Sequence, residues 1–433
     1  LALSWSGRLG RAAEVYRETM DAPGCEDVAP EATSGLARVR RWQERLGEAR
    51  RLYRRLLRTG EAGEATARVG LGYTARAVYE PRAALRWFGE AREADPAGAE
   101  AAAGLAHAYM DLGLDGRADA VMDSLRRAGR WSPGLTAARE RLDERQSPRI
   151  GTHGVRFWDS DGTDLAELRA TLAVPVAART DVEASGRLLE VSGPVSGVDV
   201  RSSALQLHHR FSASWALTGR LAVHGVETGA GEDERTTGSG AILWTPGDRL
   251  RLRAAGGRTW LPDNLAALQE DVSGPFASLE LGLGLGSHDR IVLTGHGTRW
   301  SSDRRRLRAG VRWLHRFPGT PRLSLDWPVQ GQWYDGPFPF ALWSPESYLE
   351  TGPGLHLYQP LGGGWGLNLY GRGGVQRETG RDAQGLAVLR GSLEWELAPG
   401  SRLTVGGGWS NSSVTGAAGF RRTSLEAGLT LRF

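Results

Sequence analysis

Phe420-Arg-Arg-Thr-Ser-Leu-Glu-Ala-Gly-Leu-Thr-Leu-Arg-Phe433 closes the chain. Leu425, Ala427, Leu429, Leu431 and Phe433 are apolar, while Ser424, Glu426, Gly428, Thr430 and Arg432 between them are polar or small. Successive side chains of a strand point to opposite sides, so this alternation gives an extended segment one greasy face and one wet face. One such strand fits the edge of a soluble sheet as well as the wall of a membrane barrel. The choice depends on how far upstream the pattern runs.

It runs back to about Ile150. Leu168, Ala170, Leu172 and Val174 alternate with Arg169 and Thr171, and Leu217, Gly219, Leu221 and Val223 with Thr218, Arg220 and His224. The same period recurs at Leu279–Leu285, Leu307–Trp313, Trp365–Leu369, Leu389–Leu397 and Leu403–Trp409. Turn signals separate the runs, among them Pro246-Gly247-Asp248, Pro318-Gly319-Thr320 and Pro399-Gly400-Ser401. Allowing for irregular stretches at Gly229–Gly238 and Pro262–Pro275, residues 150–433 hold about 16 strands, which suits spans of about 9–11 residues plus connections. A water-soluble sandwich also alternates, so the aromatics decide. Trp158, Trp244, Trp260, Trp300, Trp313, Trp327, Trp343 and Trp365 fall mostly near strand ends, where the interfacial girdles of a membrane barrel form.

Residues 1–147 follow another period. Gly35-Leu36-Ala37 returns as Gly70-Leu71-Gly72 and as Gly104-Leu105-Ala106, 35 and then 34 residues apart. Each unit then carries a small residue (Ala49, Ala84, Ala118) and, four further on, a large one (Tyr53, Phe88, Met122); Ala12 and Tyr16 continue the series upstream. Asp95-Pro96 and Ser132-Pro133 are read as ends of units, and residues 136–145 as a polar capping helix. Small residues let paired helices approach, and large ones plug the neighbouring unit. The period and pattern resemble tetratricopeptide repeats, with the first repeat truncated and a targeting segment and further repeats expected upstream.

Composition excludes several classes. No stretch of about 18 apolar residues exists, so no transmembrane helix is expected. A mean hydropathy of −0.36 is compatible with a barrel, whose strands dilute their apolar face with a polar one. All 54 basic residues are Arg against 50 acids, a near balance that argues against nucleic-acid binding. A single Cys25 rules out an intramolecular disulfide. No His-Glu-x-x-His or Gly-x-Ser-x-Gly is present, and His208-His209 fall on opposite strand faces and cannot chelate one metal. No catalytic residue, metal or cofactor is expected.

Helical repeats followed by a barrel of about 16 strands resemble the outer-membrane exporters of exopolysaccharide, the cellulose-synthesis operon export subunit and the poly-N-acetylglucosamine export porin. Trp343-Ser344-Pro345-Glu346-Ser347-Tyr348 is similar to an aromatic-Ser-Pro-x-x-Tyr stretch of those barrels. The resemblance implies a transmembrane antiparallel barrel in the outer membrane and repeats in the periplasm. The implied partners are a polysaccharide, the bilayer, and synthase proteins of the periplasm or inner membrane. Phe433, Leu431 and Leu429 would be the signal read by the barrel-assembly machinery. The polar strand faces nominate Arg249, Arg251, Arg253, Glu280, Arg308, Arg312, Arg372, Glu394 and Glu396 for the glycan path, with all three of Arg249, Arg251 and Arg253 on one side of one strand. The other reading is a barrel anchor that displays repeats to a partner and transports nothing.

Overall fold

The computed structural model describes residues 8–59, 63–194, 196–229, 231–260, 265–301, 303–338, 343–413 and 420–433. The start of the first repeat, residues 1–7, lies outside them. The chain forms two compact units, one helical and one of strands.

The helical unit is a stack of antiparallel helices: α1 (Leu9–Asp21), α2 (Ala29–Trp42), α3 (Leu46–Thr59), α4 (Glu64–Ala77), α5 (Pro81–Ala94), α6 (Ala99–Asp111), α7 (Asp115–Arg127) and α8 (Pro133–Gln146). Its joints follow the small-then-large pattern. The ring of Tyr16 on α1 lies against Gly35 of α2, Tyr53 of α3 against Gly70 of α4, and Phe88 of α5 against Gly104 of α6. A Cβ at any of these glycines would overlap the ring, so glycine is the socket. Ala49, Ala84 and Ala118 are fully buried where paired helices approach. The last helix departs from the sequence expectation. It begins at Pro133, so Ser132-Pro133 opens a helix instead of closing a unit, and the Ser132 carbonyl accepts the Leu135 and Thr136 amides. Nor is α8 polar throughout. Leu135, Ala138 and Leu142 are fully buried against Met110 and Met122, while Arg139, Arg141 and Arg145 pair with Asp119, Asp111 and Asp115 at 2.6–3.1 Å.

Because these contacts join neighbouring helices, residues 1–147 expressed alone should give a helical circular dichroism spectrum and a cooperative melt. A random-coil spectrum would overturn the assignment. The melt should depend on pH through His107 of α6. Burial, then Arg76 and Arg141, hold its imidazole down to about 4, against the opposing pull of Asp111. The unfolded chain takes up this proton near 6.5 and the folded one does not, so stability is full above that pH and falls as pH drops toward 4. His107→Leu should flatten the melting temperature across that window.

The second unit is a closed antiparallel barrel. Its strands are β1 (Arg149–Asp159), β2 (Asp164–Ala177), β3 (Thr180–Ser192), β4 (Gly197–Arg210), β5 (Trp215–Thr228), β6 (Gly231–Trp244), β7 (Leu250–Trp260), β8 (Ser273–Gly284), β9 (Asp289–Arg299), β10 (Arg305–Arg316), β11 (Arg322–Tyr334), β12 (Ser347–Thr351), β13 (Gly354–Gly362), β14 (Trp365–Glu378), β15 (Gln384–Ala398), β16 (Ser401–Ser410) and β17 (Arg422–Arg432). Each neighbours the next, and β17 closes on β1 from Arg432↔Arg149 to Arg422↔Asp159. Both β12 and β13 pair with β11 and β14, so they are halves of one span interrupted at Gly352-Pro353, where proline has no N–H for the ladder. The spans therefore number 16. The irregularity expected at Gly229–Gly238 is largely absent, since β6 starts at Gly231 and pairs with β5 along its length.

Apolar side chains face outward. Leu221 is 68% exposed while Ala222 beside it is 4% exposed, and Leu168, Leu188, Leu205, Leu307, Leu369, Leu389 and Leu425 are exposed on the same outer face. A soluble sheet would bury this set; an outer-membrane barrel presents it to lipid. Trp215 stacks on Trp244 at 5.7 Å, and Trp365 on Trp395 at 5.2 Å, at the end nearer Arg149 and Phe433. The three longest gaps between strands, after Trp260, Tyr334 and Ser410, all fall at the opposite end. Long loops at one end and tight turns at the other are the asymmetry of outer-membrane barrels. Trp260 and Trp300 are corrections to the girdle: both are buried, at 7% and 2% exposure, and face inward.

Candidate functional site in the barrel lumen

Alternation that sends leucine outward sends charge inward. Register brings Arg169 of β2 opposite Arg187 of β3, Ser202 of β4 opposite His224 of β5, and Gln206 opposite Arg220. Glu167 bridges Arg169 and Arg187 at 3.0 and 2.7 Å. His224 is held by Ser202 Oγ at 2.8 Å and Thr237 Oγ1 at 2.9 Å, with the Trp260 ring 4.5 Å from its centroid. Trp260 reaches the lumen because β7 leaves β6 after Ser239↔Gly257 while staying paired with β8 as far as Trp260↔Ser273. Gly257 permits this departure, since a Cβ there would overlap the Gly238 carbonyl. Arg169, Arg187, Arg220, His224, Arg258 and Trp260 are among the residues that line a cavity of about 250 Å³.

A second cavity, of about 410 Å³, shares Thr259 and Trp260 with the first. Trp300, Arg306, Arg308, Gln332 and Tyr348 line it. Arg306 is 7% exposed, its guanidinium 4.9 Å from the centre of the Trp300 ring. Arg308 Nε donates to Gln332 Oε1.

Beside it lies a buried carboxylate. Glu350 is 1% exposed and accepts from Arg372 Nη2 (2.6 Å), Gln330 Nε2 (2.6 Å), the Tyr348 hydroxyl (2.7 Å) and Ser412 Oγ (2.6 Å). Gln376 extends the network, accepting from the Ser413 amide and donating to the Asn411 carbonyl, both at 2.8 Å. Residues 411–413 of the last long connection are thus tied to the inner wall. The connection after β7 also turns inward: its short helix α9 (Leu265–Gln269) packs Leu265 and Leu268 against Leu165, Leu189, Val200 and Val226.

The nominated residues fall into separate places. Arg251 and Arg253 lie on the inner face of β7, opposite Gly282 and Glu280, whereas Arg249 stands in the turn ahead of the strand and leaves the expected row of three. Arg308 lines the second cavity, Arg312 is 3.7 Å from Asp326, and Arg372 belongs to Glu350. Glu394 pairs with Arg402 at 3.0 Å and accepts from Asn368 at 2.5 Å, with Glu396 opposite Arg402. In the Trp-Ser-Pro segment, Trp343 packs edge-on to Tyr348 at 5.2 Å and donates to Glu378 at 3.3 Å. Ser344 Oγ accepts the Phe338 amide at 3.2 Å, and Pro345 follows it outside any strand. Leu431 pairs with Ile150 and Leu429 with Leu403, while the Phe433 amide donates to the Pro148 carbonyl at 3.3 Å. The sequence placed Arg169 and Arg220 on polar faces but could not show that they meet Arg187 around Trp260, because that depends on register across the six strands from β2 to β7.

The barrel is similar in fold to a bacterial polysaccharide outer membrane secretin, at 12% identity and a TM-score of 0.56, over 66% of this chain and 99% of that one. CdiB from Acinetobacter baumannii matches 66% of the chain and 60% of its own length at 10% identity and a TM-score of 0.45. A tetratricopeptide repeat protein from Parabacteroides merdae ATCC 43184 matches 33% of the chain and 56% of its own length at 19% identity and a TM-score of 0.28. No protein-family model matches the chain, and no curated protein sequence does.

Proposed function

We propose that this outer-membrane barrel exports an exopolysaccharide and that its helical repeats, in the periplasm, recruit the proteins that make or modify the polymer. The inner wall carries the proposal. Between β2 and β12 it sets guanidinium, amide and hydroxyl groups beside the rings of Trp260, Trp300 and Tyr348, groups that exchange hydrogen bonds with sugar hydroxyls and offer flat faces to sugar rings. The fold likeness to a polysaccharide secretin supports it. Of the nominated lumenal residues Arg308 lines the second cavity, and the others, from Arg253 and Glu280 at one side to Glu394 and Glu396 at the other, would meet the polymer outside the two cavities. The terminal strand ending at Phe433 would serve as the assembly signal.

One observation favours a second reading. The inward α9 fills part of the lumen with apolar side chains, as a barrel that only anchors its repeats would do. Single-channel recording in planar bilayers separates the two. An exporter should conduct and be blocked transiently by oligosaccharides, and its deletion should abolish polymer secretion. A silent barrel with normal secretion in the deletion strain would leave the anchor.

A further inference from the structure

Among the described residues, the two lumenal cavities carry more positive charge than the wall neutralises. Arg169, Arg187, Arg220 and Arg258 line the first, Arg306 and Arg308 the second, and neither lining includes an Asp or Glu. Glu167 accounts for one charge of the Arg169–Arg187 pair. Among the described residues, Arg220, Arg258 and Arg306 have no carboxylate within ion-pair distance, and Arg258 donates only to Ser273 Oγ, at 3.0 Å. Arg306 is the sharpest case: it is buried, and its Nε has no acceptor. The indole N–H of Trp300, on whose ring it lies, has none either. A buried cation without a counter-charge is costly, which is why truncating one partner of a buried pair destabilises a protein strongly. A cavity that keeps such a charge beside unfilled donors is built for an anion that arrives from outside.

Resting on the export reading, we infer that the polymer is an acidic polysaccharide, whose sugar-borne carboxylates are handed along an arginine track running from Arg169 and Arg220, past Trp260, to Arg306. Arginine suits the task, because its planar fork meets a carboxylate through two parallel bonds, and each charge-assisted bond is about twice as strong as a neutral one. Trp260 is common to both cavities, so a sugar face resting on it would have arginines before and behind. Several moderate sites in series allow passage, since no single one holds the chain.

The test is oligosaccharide block of the full-length protein in planar bilayers, with hexagalacturonate, cellohexaose, chitosan hexamer and inorganic sulfate as separate probes. Hexagalacturonate should block at a concentration about tenfold below cellohexaose, a difference of about 1.4 kcal/mol. Chitosan should block least, and sulfate should not reproduce the block. Arg220→Gln/Arg258→Gln/Arg306→Gln should bring hexagalacturonate level with cellohexaose, while the corresponding Lys variant keeps most of the preference. Equal block by all three oligosaccharides, or preference for chitosan, would overturn the acidic substrate and leave export standing. Sulfate blocking as well as hexagalacturonate would reduce the track to a small-anion site and overturn the inference. Absence of block by any sugar would remove the export reading with it. The wild-type comparison decides among these outcomes even where a triple variant assembles poorly.

Discussion

Leu393→Arg should destabilise the barrel by about 2–4 kcal/mol, the cost of an arginine near the bilayer midplane on a lipid-facing strand position. Leu393 is the tenth of the fifteen residues of β15, is 44% exposed, and sits between Leu367 and Val405 on the outer face. Glu394, one residue on, faces the lumen, where it holds Asn368 and Arg402. Glu394→Gln keeps the Asn368 contact and gives up only a half-exposed ion pair, so its stability cost should be about 1 kcal/mol or less, with the effect appearing in ion selectivity instead. Urea unfolding in lipid vesicles, read by heat-modifiable migration, measures both variants. Equal losses would mean that the two residues do not lie on opposite faces.

Glu350→Leu should cost about 3–5 kcal/mol, the usual penalty for stripping one partner from a buried charge pair. It strands the Arg372 guanidinium and removes one acceptor from the Gln330 amide and from the Ser412 hydroxyl, while the Tyr348 hydroxyl keeps Gln376 Oε1 at 2.9 Å. Because Ser412 is among those donors, the same change should free the Ser412 side chain while Gln376 still holds Asn411 and Ser413 to the wall, so added protease should cut that connection little faster than in the wild type. Glu350→Leu/Arg372→Leu should recover part of the loss, since removing both charges avoids leaving one buried alone. A double variant no better than the single would show that Arg372 is not what makes Glu350 costly to lose.

Much of the architecture was legible in the sequence because two periods carry it. A repeat of 34–35 residues with glycine, alanine and aromatic at fixed offsets specifies interlocking helices, and Tyr53 on Gly70 is that pattern made physical. Period two specifies a barrel wall, and the exposed leucines of β2, β5, β10 and β17 are those the alternation picked out. The lumen was harder to read, for a physical reason. Alternation tells which residues point inward on one strand, whereas a site is made of inward residues on several strands, and a register cannot be read from one strand alone. Arg187, Arg220 and Arg258 come together through pairings that no local pattern encodes. Trp260 and Trp300 misled because a tryptophan at a strand end reads as a girdle residue unless the strand departs from its neighbour, as β7 does after Gly257. Nothing in the sequence singles out Glu350, because its burial depends on Ser412, 62 residues further along the chain.

The joints of the helical unit are interchangeable parts. Each presents an aromatic ring on one side and a glycine socket on the other, whether the pair is Tyr16 with Gly35, Tyr53 with Gly70 or Phe88 with Gly104. Excising residues 35–69 would bring Tyr16 to Gly70, the socket now filled by Tyr53, a joint of the same kind. The array can therefore gain or lose whole units by recombination without a new interface having to evolve, while a loss of half a unit would set ring against ring. Length thus becomes a quantity that selection can adjust in steps of one repeat, and the reach of the helical stack is set by copy number instead of by sequence refinement.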